Sequence, residues 1–249
     1  RCRGVMNFQN RLPKGAFVVG NVNRNQPRKR QDLTIEYFAQ WVRQRRLDNA
    51  YLYLHCAQKE NAGWDLGQLA HFYGVAHRTI LPAEDLVTPA SGFPEEQMPY
   101  VYGTFDVQIS TTMGEGWSLC QHEGMACGIP QIVPQYSALG EWAASAVRFV
   151  RCSSFGSHIV VNTIGGIADK AEFIEALDEM YDDSKLRSEF AERALLRARD
   201  PKFSWDVIAA KFQDSLAMMV AENKKSRDGS KVEMLGSLEE AEAAASASG

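Results

Sequence analysis

The sequence has little of what marks membrane, metal or disulfide chemistry. No apolar run approaches the roughly 20 residues needed to cross a bilayer. No basic stretch leading into an apolar segment opens the chain, which argues against a secretory leader, and Arg1-Cys2-Arg3-Gly4 reads as the interior of a longer protein. The five cysteines (Cys2, Cys56, Cys120, Cys127 and Cys152) are odd in number, scattered and without a C-x-x-C pair, against a disulfide framework or structural zinc. They read as free thiols of a reducing compartment. His55, His71, His77, His122 and His158 show no H-x3-H spacing, so no metal site is expected. The acidic D-x-D pattern, the G-x-G-x-x-G fingerprint and the phosphate-binding G-x4-G-K-[ST] loop are all missing. Gly116-Trp117-Ser118 lacks the glycine that would complete a nucleophile elbow.

What is present is an ordinary globular composition, 45% hydrophobic and 23% charged. The net charge of −4 is unevenly spread. Arg24, Arg28, Lys29, Arg30, Arg43, Arg45 and Arg46 crowd the N-terminal part, and acidic residues dominate the C-terminal part. A basic cluster in a mildly acidic chain suits a local anionic ligand better than nucleic acid, for which no recognised module is visible.

Apolar runs alternate with amphipathic stretches. Ala16 to Gly20, Ala50 to Leu54, Thr79 to Leu81, Phe105 to Ile109, Gln131 to Val133 and Val147 to Val150 read as strands, the first ending in a glycine turn. Between them, Leu33 to Val42 (with Asp32 as a plausible cap), Asp65 to Tyr73, Pro94 to Thr104, Ser118 to Cys127 and Leu139 to Ala144 read as helices. Gly128 and Pro130 end the fourth of these. From Lys170 the pattern becomes helical: Lys170 to Tyr181, Ser184 to Arg199 and Trp205 to Val220. The expected fold is a Rossmann-like α/β domain, a parallel sheet with helices on both faces and a helical C-terminal extension. Residues 1–15 would be a linker, 16–223 the domain, and 224–249 a low-complexity, flexible tail.

The most informative stretch is Gly114-Glu115-Gly116-Trp117-Ser118-Leu119-Cys120-Gln121-His122-Glu123-Gly124-Met125-Ala126-Cys127-Gly128-Ile129-Pro130. It follows a strand and opens a helix, the crossing at which open parallel sheets bind ligands. Gly114 and Gly116 allow close backbone approach, and helix-start amides near Ser118 and Leu119 can receive a phosphate or sugar oxygen. Glu115 and Glu123 flank this start, at most about 12 Å apart along an ideal helix. Carboxylates accept from hydroxyl groups, so the pair could hold opposite ends of one sugar nucleotide. Glu123 sits among Leu119, Met125, Ala126 and Cys127, which predicts a buried carboxylate with a partner. His122 would point away from Glu123, as adjacent helical residues do, and reads as a surface or packing histidine.

These residues resemble the pattern E-G-[aromatic]-[G/S]-L-x-x-x-E-x-M-A-C-G-x-P of the group 1 (family four) glycosyltransferases of GT-B fold, with Glu115 and Glu123 on its E-x7-E motif. The likeness runs from about Phe17 to Val220. Ser118 replaces a more usual glycine and Gly124 a more usual alanine. The resemblance implies that Glu123 binds the ribose, that Glu115 lies by the transferred sugar, and that Gly116, Trp117, Ser118 and Leu119 offer amides to sugar and phosphate. It also implies an Arg–Lys pair after the first strand for the donor pyrophosphate. Arg24 and Lys29 are the best matches, beside Gly20 and Asn21; Arg28 and Arg30 read more readily as solvated. Arg supplies a planar fork for phosphate and Lys a point charge. Leu81 and its neighbours, with Glu84 and Asp85, are candidates for the base pocket.

The resemblance thus implies a retaining glycosyltransferase donor domain. It would bind a nucleotide diphosphate sugar, a GDP-sugar slightly favoured, without metal or other cofactor. The acceptor (glycan, lipid or small molecule) would be held by an N-terminal domain, and the setting would be cytoplasmic, or peripheral to a membrane through that domain. The alternatives are a non-catalytic nucleotide-sugar-binding module and a sugar-nucleotide epimerase on the same architecture.

Overall fold

The computed structural model describes Cys2, residues 12–83, Val87, and residues 92–158 and 163–246. Six parallel strands form one sheet: β1 (Phe17–Val22), β2 (Ala50–His55), β3 (Thr79–Ile80), β4 (Val107–Ile109), β5 (Gln131–Pro134) and β6 (Arg148–Val150). Their order is β3-β2-β1-β4-β5-β6, the doubly wound order of dinucleotide-binding sheets. The order reverses between β1 and β4, so the crevice beyond their carboxyl ends is where ligands are expected.

The strands read as continuous apolar runs because both faces are covered. Along β1 the period of two sends Phe17 and Val19 to one core and Val18 and Val22 to the other. The first core is filled by Ile35, Phe38 and Trp41 of α1 (Gln31–Arg45). The second holds Tyr53, Ile80, Phe105 and Ile129. The chain between β2 and β4 carries α2 (Leu66–Phe72), capped by Asp65, and α3 (Met98–Tyr102), whose Val101 and Tyr102 enter that second core. Two further helices follow: α4 (Leu119–Ala126) before β5 and α5 (Ser137–Trp142) after it. α6 (Lys170–Asp182) adds Phe173, Leu177 and Met180 to the first core, and α7 (Ser184–Ala198) follows it.

Several expectations are revised. Gly20 does not end β1 but lies within it, where a Cβ would fall 2.3 Å from the Phe105 ring, so close packing rather than a turn requires the glycine. Asp32 does not cap α1: the N-cap is Arg30, in left-handed backbone, and Asp32 pairs with its guanidinium at 2.9 Å. An antiparallel hairpin, β7 (Cys152–His158) with β8 (Thr163–Ala168), stands apart from the main sheet and is not announced by apolar periodicity.

Residues 200–249 form a separate unit. Its helix α8 runs from Trp205 to Ser246, past Val220 and through the segment expected as a tail. Its Leu-Glu-Glu-Ala-Glu-Ala-Ala-Ala section consists of strong helix formers, and low apolar content does not prevent a helix there.

Candidate functional site

The loop after β1 is stitched to the loop after β4. Asn21 donates to Thr34 Oγ1 at 2.8 Å, Thr34 and Thr111 share a hydroxyl bond of 2.6 Å, and Thr111 donates to the Arg30 carbonyl at 2.7 Å. The Met113 amide donates to the Arg28 carbonyl at 2.9 Å. Asn21 is therefore fully buried and serves this network.

The stitching sets two cations on Glu115. Arg28 Nη1 donates to Oε2 at 2.9 Å and Lys29 Nζ to Oε1 at 2.5 Å. Arg28 also donates to the Gly114 carbonyl. The Glu115 side chain is only 6% exposed. Burial pushes its carboxyl upward, but Lys29 and Arg28 outweigh that and hold it below its ordinary value. Arg24 goes elsewhere: it pairs with Glu60, its side chain 62% exposed. Arg28, which reads as a solvated residue in the sequence, is thus the closer companion of Lys29, and adjacency in the run Arg28-Lys29-Arg30 conceals this.

The loop Gly114–Ser118 is held from both sides. The Glu115 amide donates to Ser137 Oγ at 2.8 Å, and Trp142 Nε1 donates to the Trp117 carbonyl at 2.6 Å. The Trp117 and Trp142 rings stack at 4.8 Å. Ser118 takes a left-handed backbone, φ 78° and ψ 70°, just before α4, which explains why a glycine suits this position. Gly116 has open space around its Cα, and Leu119 is exposed.

Two cavities open in this region. The first, of about 320 Å³, is lined by Arg28, Gly114, Glu115 and Gly116, by Tyr136 and Ser137 after β5, and by Thr163, Ile164 and Gly165 of β8. The second, of about 430 Å³, collects Asn23, Arg24, His55, Glu60, Phe93, Cys120 and Glu123 among others. Burial and the nearby Glu123 push the Cys120 thiol up to about 11. His55 is pushed down to about 4 by burial and is neutral; its Nδ1 meets the Tyr53 hydroxyl at 3.0 Å. Asn23 is 3% exposed, its amide nitrogen spent on Asn21 at 2.8 Å, while its Oδ1 has no hydrogen-bond partner among the described residues.

Glu123 is not buried as its apolar neighbours suggest. It is exposed, because α4 buries Gln121, Gly124 and Met125 and leaves Leu119, Ala126 and Cys127 out. It does have a partner: the Tyr102 hydroxyl donates to Oε2 at 2.6 Å. Leu81 packs against the first core rather than lining either cavity. Glu84 and Asp85 lie outside the described residues.

No protein-family model and no curated protein matches the sequence. Solved structures do match in fold. Sucrose-phosphate synthase from Thermosynechococcus elongatus superposes with a TM-score of 0.65 at 17% identity, over 89% of this chain and 49% of that one. Anabaena HepE, solved in complex with UDP-glucose, gives 0.62 at 17% identity over 88% and 52%. The chain thus spans about half the length of these proteins. The C-terminal domain of a group 1 glycosyltransferase, LpcC, from Francisella tularensis gives 0.59 at 17% identity, over 79% of this chain and 90% of that domain. This chain has the fold of the C-terminal domain of the group 1, GT-B glycosyltransferases.

Proposed function

We propose that this chain is the donor-binding domain of a retaining glycosyltransferase, taking a nucleotide diphosphate sugar whose acceptor is held by an N-terminal domain. The observation that carries the proposal is the convergence of Arg28 and Lys29 on Glu115, beside the start of α4 and at the reversal point of the sheet. Cations fixed in a half-buried site favour a diphosphate, most of all as charge grows on it during departure. The HepE structure with UDP-glucose makes UDP a natural first ligand alongside GDP, which the resemblance favours.

In this reading the base and ribose occupy the second cavity. Glu123, steadied by Tyr102, accepts from ribose hydroxyls, and the unpaired Asn23 Oδ1 accepts from a further donor on the ligand. Lys29 and Arg28, with Arg24 at the cavity mouth, neutralise the diphosphate. Glu115 and the amides of Gly116 to Leu119 orient the sugar. The bond from the anomeric carbon to the diphosphate oxygen breaks. The acceptor oxygen bonds to the same face of that carbon, and its proton passes to the leaving diphosphate.

The test is calorimetric titration of the chain with UDP, GDP and ADP, beside Glu123→Ala and Lys29→Ala. One nucleotide should bind, both substitutions should weaken it, and the 2′-deoxynucleotide should bind less well to wild type but equally to Glu123→Ala. Failure of a folded chain to bind any of the three would overturn the reading.

A further inference from the structure

Among the described residues, the β7–β8 hairpin is the wall of the first cavity that belongs neither to the parallel sheet nor to its crossover loops. It is fixed there firmly. The Gly166 amide donates to the Met113 carbonyl at 2.9 Å, and the Tyr136 hydroxyl donates to the Ile164 carbonyl at 3.3 Å. The Tyr136 and Phe155 rings meet edge-on at 5.8 Å. A Cβ on Gly165 would come within 2.5 Å of Met113, so the absence of a side chain lets β8 lie directly on the Glu115 loop. Yet Thr163 and Ile164, which line the cavity from this hairpin, contribute nothing to the core, and Ile164 is 66% exposed. Phe155 on the paired strand is exposed as well, so the hairpin presents apolar surface at the rim of this cavity.

The cavity has two chemically distinct sides. Arg28, Glu115 and Ser137 offer charged and hydroxyl groups; Ile164 and Met113 offer apolar surface. A pyranose ring has the same division, with hydroxyls around its edge and C–H groups on its faces. Glu115 belongs both to the cation cluster and to this cavity. A diphosphate at the cluster, with its nucleoside in the second cavity, would therefore direct its other end here.

We infer that the hairpin is a specificity-determining element: Thr163 and Ile164 form the wall that selects the sugar carried by the nucleotide. The inference rests on the donor-domain reading above. It assigns to β8 the discrimination among sugars, and to the second cavity the affinity for the nucleoside diphosphate.

The experiment titrates the full chain, wild type and Ile164→Trp, with UDP, GDP and ADP and with UDP-glucose, GDP-mannose and ADP-glucose. Position 164 is exposed, so the larger ring should leave the melting temperature unchanged. In wild type the sugar nucleotide that fits should bind more tightly than its parent diphosphate. In Ile164→Trp the diphosphate should keep its affinity within twofold while the sugar nucleotide loses at least tenfold. Ile164→Ala, titrated with two further sugars on whichever base binds, should narrow the wild-type preference among them. Equal losses for diphosphate and sugar nucleotide, or no loss for either, would overturn the hairpin's role and leave the donor reading standing. Binding of a diphosphate with no gain from any sugar would do the same. No binding of any of the six to wild type would defeat the donor reading and this inference with it.

Discussion

Trp117 Nε1 donates to His122 Nδ1 at 3.1 Å, and His122 Nε2 in turn meets the carbonyl of Ala198, the last residue of α7, at 3.0 Å. An indole nitrogen can only donate, so Nδ1 must accept and Nε2 must carry the proton. His122 is thus a bridge from the glycine-flanked loop to the end of a helix whose terminal carbonyls need donors. Arg197 strengthens the same junction by donating to the Trp142 carbonyl at 2.6 Å. His122→Phe keeps the ring but leaves both partners without their bond. It should cost about 1–3 kcal/mol in urea unfolding and weaken diphosphate binding severalfold. An unchanged unfolding midpoint would show that the bridge carries no load.

The cation cluster makes a prediction of opposite signs. Lys29→Ala removes a charge from the diphosphate and should weaken it about tenfold, or ~1.4 kcal/mol. Glu115→Gln removes the anion that competes for the same cations. The free protein should become less stable by about 1–3 kcal/mol, because two partly buried cations lose their partner. Saturating nucleotide should then raise the melting temperature by more than it does in wild type, since phosphate replaces the missing carboxylate. A smaller shift in Glu115→Gln would mean that the diphosphate does not sit on this cluster.

How much of this was legible in the sequence follows from burial. β1, β2 and β4 could be read because residues such as Val19, Leu52 and Ile109 are buried on both faces and produce unbroken apolar runs. The hairpin could not, since Cys152-Ser153-Ser154-Phe155-Gly156-Ser157-His158 has no apolar alternation, and its glycines serve a close approach to Met113 visible only in three dimensions. The motif around Glu115 singles out the loop on which Arg28 and Lys29 converge. The choice between Arg24, Arg28 and Lys29 needed the Thr34–Thr111 stitching that fixes the register of the preceding loop. Glu123 is harder to place, because apolar neighbours along α4 suggest a buried face whereas packing turns Leu119 and Ala126 outward.

His55 supplies a pH dependence. Burial lowers it to about 4, against about 6.5 in the unfolded chain. Between these values the unfolded state binds the extra proton, so stability is full above about pH 6.5 and declines as pH falls toward 4. From pH 7 to pH 5 this one group should remove about 2 kcal/mol. His55→Gln keeps a polar partner for Tyr53 but cannot titrate. Urea unfolding at the two pH values should show wild type losing that much more than the variant. Parallel losses would place the pH sensitivity on other groups.

Gly124 stands where the resembling family usually has alanine, and the sheet beneath gives the reason. A Cβ there would lie 1.7 Å from Gln108 Oε1 and 2.9 Å from Gln131 Nε2. Both glutamines are fully buried and locked: Gln131 donates to Gln108 at 3.1 Å and to the Ile129 carbonyl at 2.9 Å, and Gln108 donates to the Cys120 carbonyl at 3.0 Å. The glycine and the glutamine pair are therefore one solution, in which a polar pair beneath α4 takes the space of a methyl group. Gly124→Ala alone should cost about 1–3 kcal/mol, since displacing Gln108 breaks these bonds. In a Gln108→Ala background the 1.7 Å obstruction is gone and the Gln131 amide, released from Gln108, has only to yield from 2.9 Å, so alanine's better helix propensity should make the double variant up to about 0.5–1 kcal/mol more stable than Gln108→Ala alone. The change of sign, read as a coupling energy in a double-mutant cycle, isolates the contact from the general effect of either substitution. Additive effects would mean that the helix can lift off the sheet, and that the glycine is not required by the glutamine pair.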